Sequence, residues 1–224
     1  MINLETAVSN RPLRILALGA HCDDIEIGCG ATIRKMLRSA HGAEVEWHVF
    51  SSNPRREAEA RDSAARFLDG AVSASVEIQS FRNGYFPYIA ADIKDYFESI
   101  KQRQEPDVVL THFGQDRHQY HRTISELTWN TFRNHLILEY EIPKYDGDLS
   151  APNFFSPVED ADAEFKSNAI LECFESQSSK AWFDERTFLG LMRLRGVECN
   201  APSGFAEAFY VRKAVFGAPS ASGG

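Results

Sequence analysis

The sequence has no long apolar run. No stretch approaches the ~20 apolar residues of a membrane-spanning helix, and residues 1–12 are too polar for a secretory signal peptide. The four cysteines form no CxxC pair of the kind found in structural zinc sites, and a chain of 224 residues can bury a core without disulfides. These absences predict a cytoplasmic protein with reduced thiols and no transmembrane segment.

Basic residues are too few for a typical nucleic-acid-binding protein. Lysine and arginine total 24 against 32 aspartate and glutamate residues, which gives a formal net charge of −8. Nucleic acids and anionic membrane surfaces select proteins with an excess of positive charge. We therefore expect no nucleic-acid partner. The sequence also lacks the GxSxG motif of serine hydrolases, so nothing in it supports that chemistry.

Apolar runs alternate with amphipathic segments along the chain. Strands and helices alternate, beginning with a strand, at residues 14–20, 27–39, 44–51, 55–68, 75–81, 90–103 and 108–113. The pattern then predicts helices at 122–135, 162–177 and 184–196, and strands at 137–142 and 205–216. This alternation is typical of an α/β fold, here a Rossmann-like, doubly wound, mostly parallel sheet flanked by helices. We predict a single domain over residues 1–217 and a disordered tail at 218–224.

Two polar clusters follow predicted strands, at the sheet edge where reactive groups of such folds gather. His21 and Asp24 are three residues apart, so a tight turn could bring both onto one cation while Asp23 acts on a bound water. His118 and His121 have the same spacing after the fourth strand. Two nitrogens and one carboxylate with an open position are typical of catalytic zinc, although iron, cobalt or manganese would accept the same ligands.

Each cluster also has a structural interpretation. An HxxD sequence after a strand is often a helix cap or a surface group, and an HxxH sequence at a helix start is more often structural than metal-binding. The occurrence of both at strand ends of one sheet favours a metal site, but spacing alone leaves the two interpretations open.

The two clusters also resemble a known family. The segment LALGAHCDDIEIGCGATI resembles the opening of the PIG-L/LmbE-like de-N-acetylases, whose usual motif is Ala-His-Pro-Asp-Asp-x-Glu before a glycine-rich helix start. The segment HQYHR resembles the family's second motif, His-x-x-His, and the resemblance covers roughly residues 13–135. It implies a zinc-dependent hydrolase that removes an N-acetyl or other N-acyl group from an amino sugar or amino-sugar conjugate, with one Zn2+ per chain or another divalent metal in its place.

The resemblance also implies a role for each residue of the motifs. His21, Asp24 and His121 would bind the metal, and Asp23 would be the general base that activates the water. His118 would stabilise the oxyanion or protonate the leaving amine. These roles are chemically coherent, because a metal lowers the pKa of bound water, a carboxylate can take its proton and an imidazole can meet the developing charge.

The sequence departs from the family motifs at two positions. Cys22 replaces the usual proline, which we expect to soften the loop without ending activity; a thiolate ligand is the less favoured alternative. Tyr120 replaces an aspartate expected to orient the catalytic imidazole, and Asp116 could take over that task. Without a neighbouring carboxylate, the pKa of His118 should be lower.

The substrate contacts are predicted from weaker signals. Arg56 could reach the substrate, although we favour a solvated helix face for it. Tyr85 lies in an aromatic loop that could stack on a sugar ring or simply pack, and Tyr120 is a further candidate. We expect His112 to lie in the core or behind the ligands. Glu26 either supports the loop or places a charge at a helix N-terminus.

Two other functions remain open at this point. The chain could be a non-catalytic sugar-binding or regulatory protein that retains the fold, or a metal amidohydrolase acting on another acylated amine. The expected partner is a small amino-sugar substrate, and whether the chain forms a homo-oligomer is also open.

Overall fold

The computed structural model describes residues 11–103 and 105–215. One sheet of seven strands has helices packed on both faces. The strands are β1 (Leu13–Gly19), β2 (Ala43–Val49), β3 (Ser73–Ile78), β4 (Val108–His112), β5 (Leu136–Tyr140), β6 (Phe154–Val158) and β7 (Phe205–Tyr210). The helices are α1 (Asp24–Leu37), α2 (Pro54–Phe67), α3 (Ala90–Arg103), α4 (Gln119–Thr131), α5 (Asp160–Cys173) and α6 (Glu185–Cys199). The predicted domain end at 217 and the predicted tail lie outside the described residues.

The strand order of the sheet is β3-β2-β1-β4-β5-β7-β6. Neighbours among the first five strands are parallel, whereas β7 is antiparallel to both β5 and β6. The chain leaves β3 at one edge and re-enters the sheet at β4, so the strand order reverses between β1 and β4. Ligands of open α/β sheets bind at such a reversal, beyond the carboxyl ends of the strands. The predicted doubly wound, mostly parallel sheet in a single α/β domain is confirmed.

The central strand β1 is buried on both faces. Ile15 and Ala17 pack with residues of α1, α2 and α5, while Leu16 and Leu18 pack with residues of α3 and α4. All four side chains are fully buried. A strand covered on both sides has a continuous apolar sequence, which explains why the first strand was predicted near its actual bounds.

The structure differs from the sequence prediction at several elements, among them α5, which ends at Cys173 instead of residue 177, and β7, which ends at Tyr210 instead of residue 216. Helices α1 and α4 each begin three residues earlier than predicted, so Asp24 and His121 lie in their first turns. Strand β6 was not predicted, because it contains Pro157, which cannot donate to a ladder and is tolerated only at a sheet edge. Among the described residues, no helix is both long and apolar enough to cross a bilayer.

Candidate metal centre

The turn after β1 is closed by Asp24. The backbone N–H of His21 donates to Asp24 Oδ2 over 2.6 Å, and the same oxygen lies 3.2 Å from His21 Nδ1. Asp23 is the N-cap residue of α1. Asp24 therefore begins the helix, where the helix dipole favours a negative charge, and it shares one small space with the imidazole of His21.

The loop after β4 brings two more histidines to the same place. Strand β4 lies beside β1, with Leu110 opposite Ala17. His118 is the N-cap residue of α4, and His121 lies in the first turn of that helix. The backbone N–H of His118 donates to Asp116 Oδ1 over 2.7 Å, which closes the loop. Both predicted clusters thus meet at the reversal in strand order.

Possible ligand atoms of His21, Asp24 and His121 have a spacing close to that around a zinc ion, with a different oxygen of Asp24 nearest each imidazole. His21 Nδ1 lies 3.2 Å from Asp24 Oδ2 and 3.3 Å from His121 Nε2. His121 Nε2 lies 3.6 Å from Asp24 Oδ1. With zinc–ligand bonds of about 2.0–2.1 Å, neighbouring atoms of a tetrahedral shell lie about 3.3 Å apart. The residues present therefore fit one zinc ion with a fourth position left open.

His121 is oriented by a carboxylate on its far side. Its Nδ1 lies 2.8 Å from Asp116 Oδ2, so Nε2 points towards the other ligand atoms, as is common for metal-binding histidines. Lys144 Nζ donates to the same oxygen of Asp116 over 2.9 Å and to Asp148 Oδ2 over 2.7 Å. The suggestion that Asp116 would serve the ring of His118 is wrong, because the carboxylate faces His121.

Burial and mutual contact shape the charges of this cluster. Burial alone would raise the pKa of Asp24, but the imidazoles of His121, His21 and His112 hold it well below its usual range. Burial, together with His112, lowers the pKa of His121 to about 3 despite the nearby carboxylates of Asp24 and Asp116. At neutral pH a buried carboxylate therefore faces an uncharged His121, and a cation would offset the cost of burying that charge.

Asp23 pairs with Arg56 instead of joining the ligand atoms. Arg56 Nη2 donates to Asp23 Oδ1 over 2.6 Å, and the Arg56 side chain is only 18% exposed. The favoured interpretation of Arg56 as part of a solvated helix face is therefore wrong. It holds only for Arg55, whose side chain is 62% exposed.

The ring of His118 lies opposite His21 and has an unpaired nitrogen. Its Nδ1 is buried without a hydrogen-bond partner among the described residues, and the two ring centroids are 5.0 Å apart. Burial and the nearby His21 lower the pKa of His118. This direction matches the expectation for an imidazole that lacks its own carboxylate partner.

The two tyrosines predicted to contact the substrate differ in burial. Tyr120 is 7% exposed; its ring stacks on Phe86 at 4.7 Å and lies 4.8 Å from the ring of His118. It forms a wall beside the imidazoles. Tyr85 is 42% exposed, with the Arg82 guanidinium 3.7 Å above its ring. Only Tyr85 of the two offers an exposed aromatic edge.

His112 lies behind the ligand atoms. Its ring stacks on His121 at 4.0 Å between centroids, and its Nε2 lies 3.2 Å from Asp24 Oδ2. Two groups of three residues lie close enough to hold a metal ion: His21, His118 and His121, and Asp24, His112 and His121. However, Nε2 of His112 accepts a hydrogen bond from the backbone N–H of Ala20 over 2.9 Å, which occupies its lone pair. We therefore keep His112 as a residue that orients ligands.

Cys22 and Glu26 are both buried beside the turn. Burial raises the pKa of the Cys22 thiol to about 12, so the side chain is a thiol that donates to Ser52 Oγ over 3.3 Å. Burial also raises the pKa of Glu26 well above its usual range. Glu26 lies in the first turn of α1 and is fully buried, so its charged form is disfavoured there, and the choice between support of the loop and a helix-terminal charge stays a prediction.

Helix α1 is broken just after its first turn. Cys29 has φ −150° and ψ 15°, which is not helical. A break removes hydrogen-bond acceptors within the helix, and here the N–H groups of Ala31 and Thr32 donate instead to Glu207 Oε1 and Oε2, over 3.0 and 2.7 Å. A carboxylate from β7 thus completes the backbone hydrogen bonding of α1.

Lys166, which lies on α5, also contacts α1 at this break. Its Nζ donates to Glu207 Oε1 over 2.6 Å and to the backbone carbonyl of Ile27 over 2.7 Å. The pair therefore contacts both sides of the break in the helix that carries Asp24. The sequence does not predict this pair; its one signal is Glu207, the single charged residue in the otherwise apolar stretch FAEAFYV at 205–211.

Comparisons with known proteins show the family and the fold of the chain. The family model for GlcNAc-PI de-N-acetylase, PIG-L, matches residues 16–132. A conserved protein from Thermus thermophilus superposes with a TM-score of 0.73 at 19% identity, over 94% of this chain and 100% of that one. N,N'-diacetylchitobiose deacetylase from Pyrococcus horikoshii gives 0.61 at 19%, over 88% and 83%. GalB, the 4-carboxy-2-hydroxymuconate hydratase of Pseudomonas putida, gives 0.73 at 16%, over 92% and 98%.

Proposed function

The chain belongs to the PIG-L family of de-N-acetylases, and from that premise we propose that it hydrolyses the N-acetyl group of a small amino sugar or amino-sugar conjugate. The observation that carries the proposal is the close spacing of His21, Asp24 and His121: the two imidazole nitrogens lie 3.3 Å apart, and each lies within 3.6 Å of one oxygen of Asp24. Two imidazoles and a carboxylate at this spacing are donors that a divalent metal accepts, and a bound cation would offset the cost of burying the carboxylate charge.

A zinc ion is the cofactor that we propose for this site. His21, Asp24 and His121 would hold it, and it would supply the Lewis acidity that acidifies water and polarises an acyl oxygen. The donor set would also accept other divalent metals. Asp116 and Lys144 would keep the His121 ring in the required orientation.

Asp23 is the proposed general base. Arg56 holds one of its oxygens, which leaves the other oxygen to accept a proton from the attacking water. His118, on the opposite side, would donate a hydrogen bond to the developing oxyanion or protonate the leaving amine. Products would be acetate and the free amine, with no covalent enzyme intermediate.

The substrate would enter past the exposed rim. Tyr85, which is 42% exposed, would contact a sugar ring at this rim, and Tyr120 against Phe86 would form the inner wall. Arg56 lies close enough to Asp23 to order both the base and a substrate hydroxyl. These contacts favour a compact polar substrate over a long apolar one.

Similar folds perform more than one reaction, so the fold alone does not choose between them. The neighbours include both a deacetylase and a hydratase, and the family match favours deacetylation. An amidohydrolase acting on another acylated amine and a non-catalytic binding protein are the two alternatives that the experiment must separate.

The decisive experiment compares Asp23→Asn with the wild-type chain. Zinc-loaded protein is assayed for acetate release from acetylated amino sugars and acetylated amino acids, with zinc content measured in parallel. Asp23→Asn should lower kcat by about 10²–10⁴-fold while zinc content is retained. Asp160→Asn, which changes an exposed carboxylate in the first turn of α5, is the matched control and should leave both unchanged.

Two results would contradict the proposal. Preferential release of acetate from acetylated amino acids would assign a different amidohydrolase activity. Unchanged turnover in Asp23→Asn, or no turnover of any acylated amine by zinc-loaded wild-type protein, would remove the enzyme assignment.

A further inference from the structure

A cleft of about 560 Å³ adjoins the loop between β4 and α4, lined by Gln115, Arg117 and Arg122. Its residues flank the two histidines along the chain, since Arg117 precedes His118 and Arg122 follows His121. The volume is within the usual range for small-molecule sites. Because no apolar side chain lines it, the cleft suits a polar or charged group.

The two arginines of the cleft are unpaired within the described part of the chain. No carboxylate there forms an ion pair with Arg117 or Arg122, because the nearby Asp116 and Asp148 are both held by Lys144. This local positive charge stands in a chain whose formal net charge is −8. The cleft therefore differs in sign from the protein as a whole.

The backbone and side-chain contacts fix this loop in place. Arg122 Nη1 donates to the carbonyl oxygen of Asp116 over 3.0 Å and also to that of Arg117. The backbone N–H of Arg117 donates to Asp148 Oδ2 over 2.7 Å. The guanidinium of Arg122 keeps further donors available, and guanidinium groups match the oxygens of phosphates and carboxylates.

We propose that this cleft binds an anionic group, a phosphate or a carboxylate, that the substrate carries beside its acylated amine. The inference rests on the proposed deacetylase function and narrows its substrate class to charged amino-sugar derivatives. Arg117 would contact the anion directly from the exposed side, and Arg122 from its fixed position at the start of α4.

The test measures kcat/KM of the zinc-loaded full chain on three probes: N-acetylglucosamine, its 6-phosphate and N-acetylmuramic acid. At least one charged probe should be preferred to the neutral sugar by about tenfold or more, since a charge-assisted hydrogen bond is worth that much. The phosphate and carboxylate arms show which anion fits. Arg117→Met should abolish the preference, whereas Arg133→Met, an exposed arginine beyond the other end of α4, should keep it.

Equal kcat/KM on neutral and charged sugars, or a preference that survives Arg117→Met, would overturn the subsite while leaving the deacetylase function intact. Absence of turnover on every probe would instead contradict the function. The subsite is then read by calorimetric binding of the phosphorylated sugar to wild-type and Arg117→Met protein, and equal affinities would overturn it.

Discussion

Two ion pairs in the second half of the chain have similar burial and different neighbours. Lys166 and Glu207 are 3% and 2% exposed and hydrogen-bond the broken helix α1. Arg195 and Glu141 are 4% and 6% exposed, and Arg195 also contacts the carbonyl of Ser150 over 3.0 Å. Both pairs line one cavity of about 20 Å³. Of the two pairs, only Lys166–Glu207 forms hydrogen bonds to α1, the helix that carries Asp24.

The comparison shows that the contribution of a buried ion pair to stability depends on the other groups that the pair contacts. Desolvation offsets most of the attraction between two buried charges, so such a pair adds little net stability by itself. Glu207 accepts two backbone N–H groups that α1 cannot satisfy. We infer that this pair sets the direction of the first turn of α1, while the Arg195 pair holds α6 in place.

The largest expected effect comes from breaking one charge of each pair. Glu207→Gln should lower the free energy of unfolding by about 3–5 kcal/mol, because it leaves the buried Lys166 ammonium without its carboxylate partner. Glu141→Gln should lower it by less, because Arg195 keeps Glu198 as a second partner at 2.9 Å. Glu207→Gln should in addition weaken zinc binding by about tenfold, the scale seen for residues that orient ligands. Chemical denaturation and zinc titration measure the two quantities. Equal zinc affinity in both variants would contradict the inference that only the Lys166–Glu207 pair positions the first turn of α1.

A smaller effect is expected when both charges of a pair are removed together. Replacing Arg195 and Glu141 by methionine should cost little, since apolar substitutes often stabilise as well as a buried pair. The same replacement of Lys166 and Glu207 should cost at least about 2 kcal/mol more, because two buried N–H groups lose their acceptors. Denaturant unfolding of the two double variants measures the difference, and equal stabilities would show that the helix break needs no acceptor.

The smallest effect is expected at an exposed pair. Arg66 on α2 and Glu172 on α5 are 41% and 64% exposed and 2.7 Å apart. Arg66→Met should change the free energy of unfolding by less than about 1 kcal/mol, because solvent screens exposed pairs. Zinc affinity should stay at the wild-type value. A loss of zinc affinity in Arg66→Met would mean that a substitution at an exposed pair near α1 also weakens zinc binding. The difference in zinc affinity between the two buried-pair variants would then not be specific to Glu207.

The sequence predicts those features that are local along the chain. Apolar runs such as Leu13–Gly19 identify the buried strands, and the three-residue spacings place His21 with Asp24 and His118 with His121. Family resemblance adds proposed roles, which remain predictions. The alternation of strands and helices was enough for the fold class, because a parallel sheet covered on both faces has few other arrangements.

Contacts between distant segments could not be predicted in this way. Arg56 has the sequence context of a solvated helix, and only the packed structure shows its pairing with Asp23. Asp116 was noticed but assigned to the wrong imidazole, since a loop sequence does not give the direction of its side chains. Glu207 lies far along the chain from Lys166 and α1, and no periodicity reveals which charges will meet.

The position of β7 between β5 and β6 has a consequence for the order in which the protein matures during synthesis. Among the described strands, β6 pairs with β7 alone, and β7 follows all the others along the chain. Until the ribosome has released Phe205–Tyr210, Glu207 cannot reach the gap at Cys29. The nascent chain should therefore carry both histidine turns long before it can hold zinc tightly, because β7 must be synthesised before the site becomes competent.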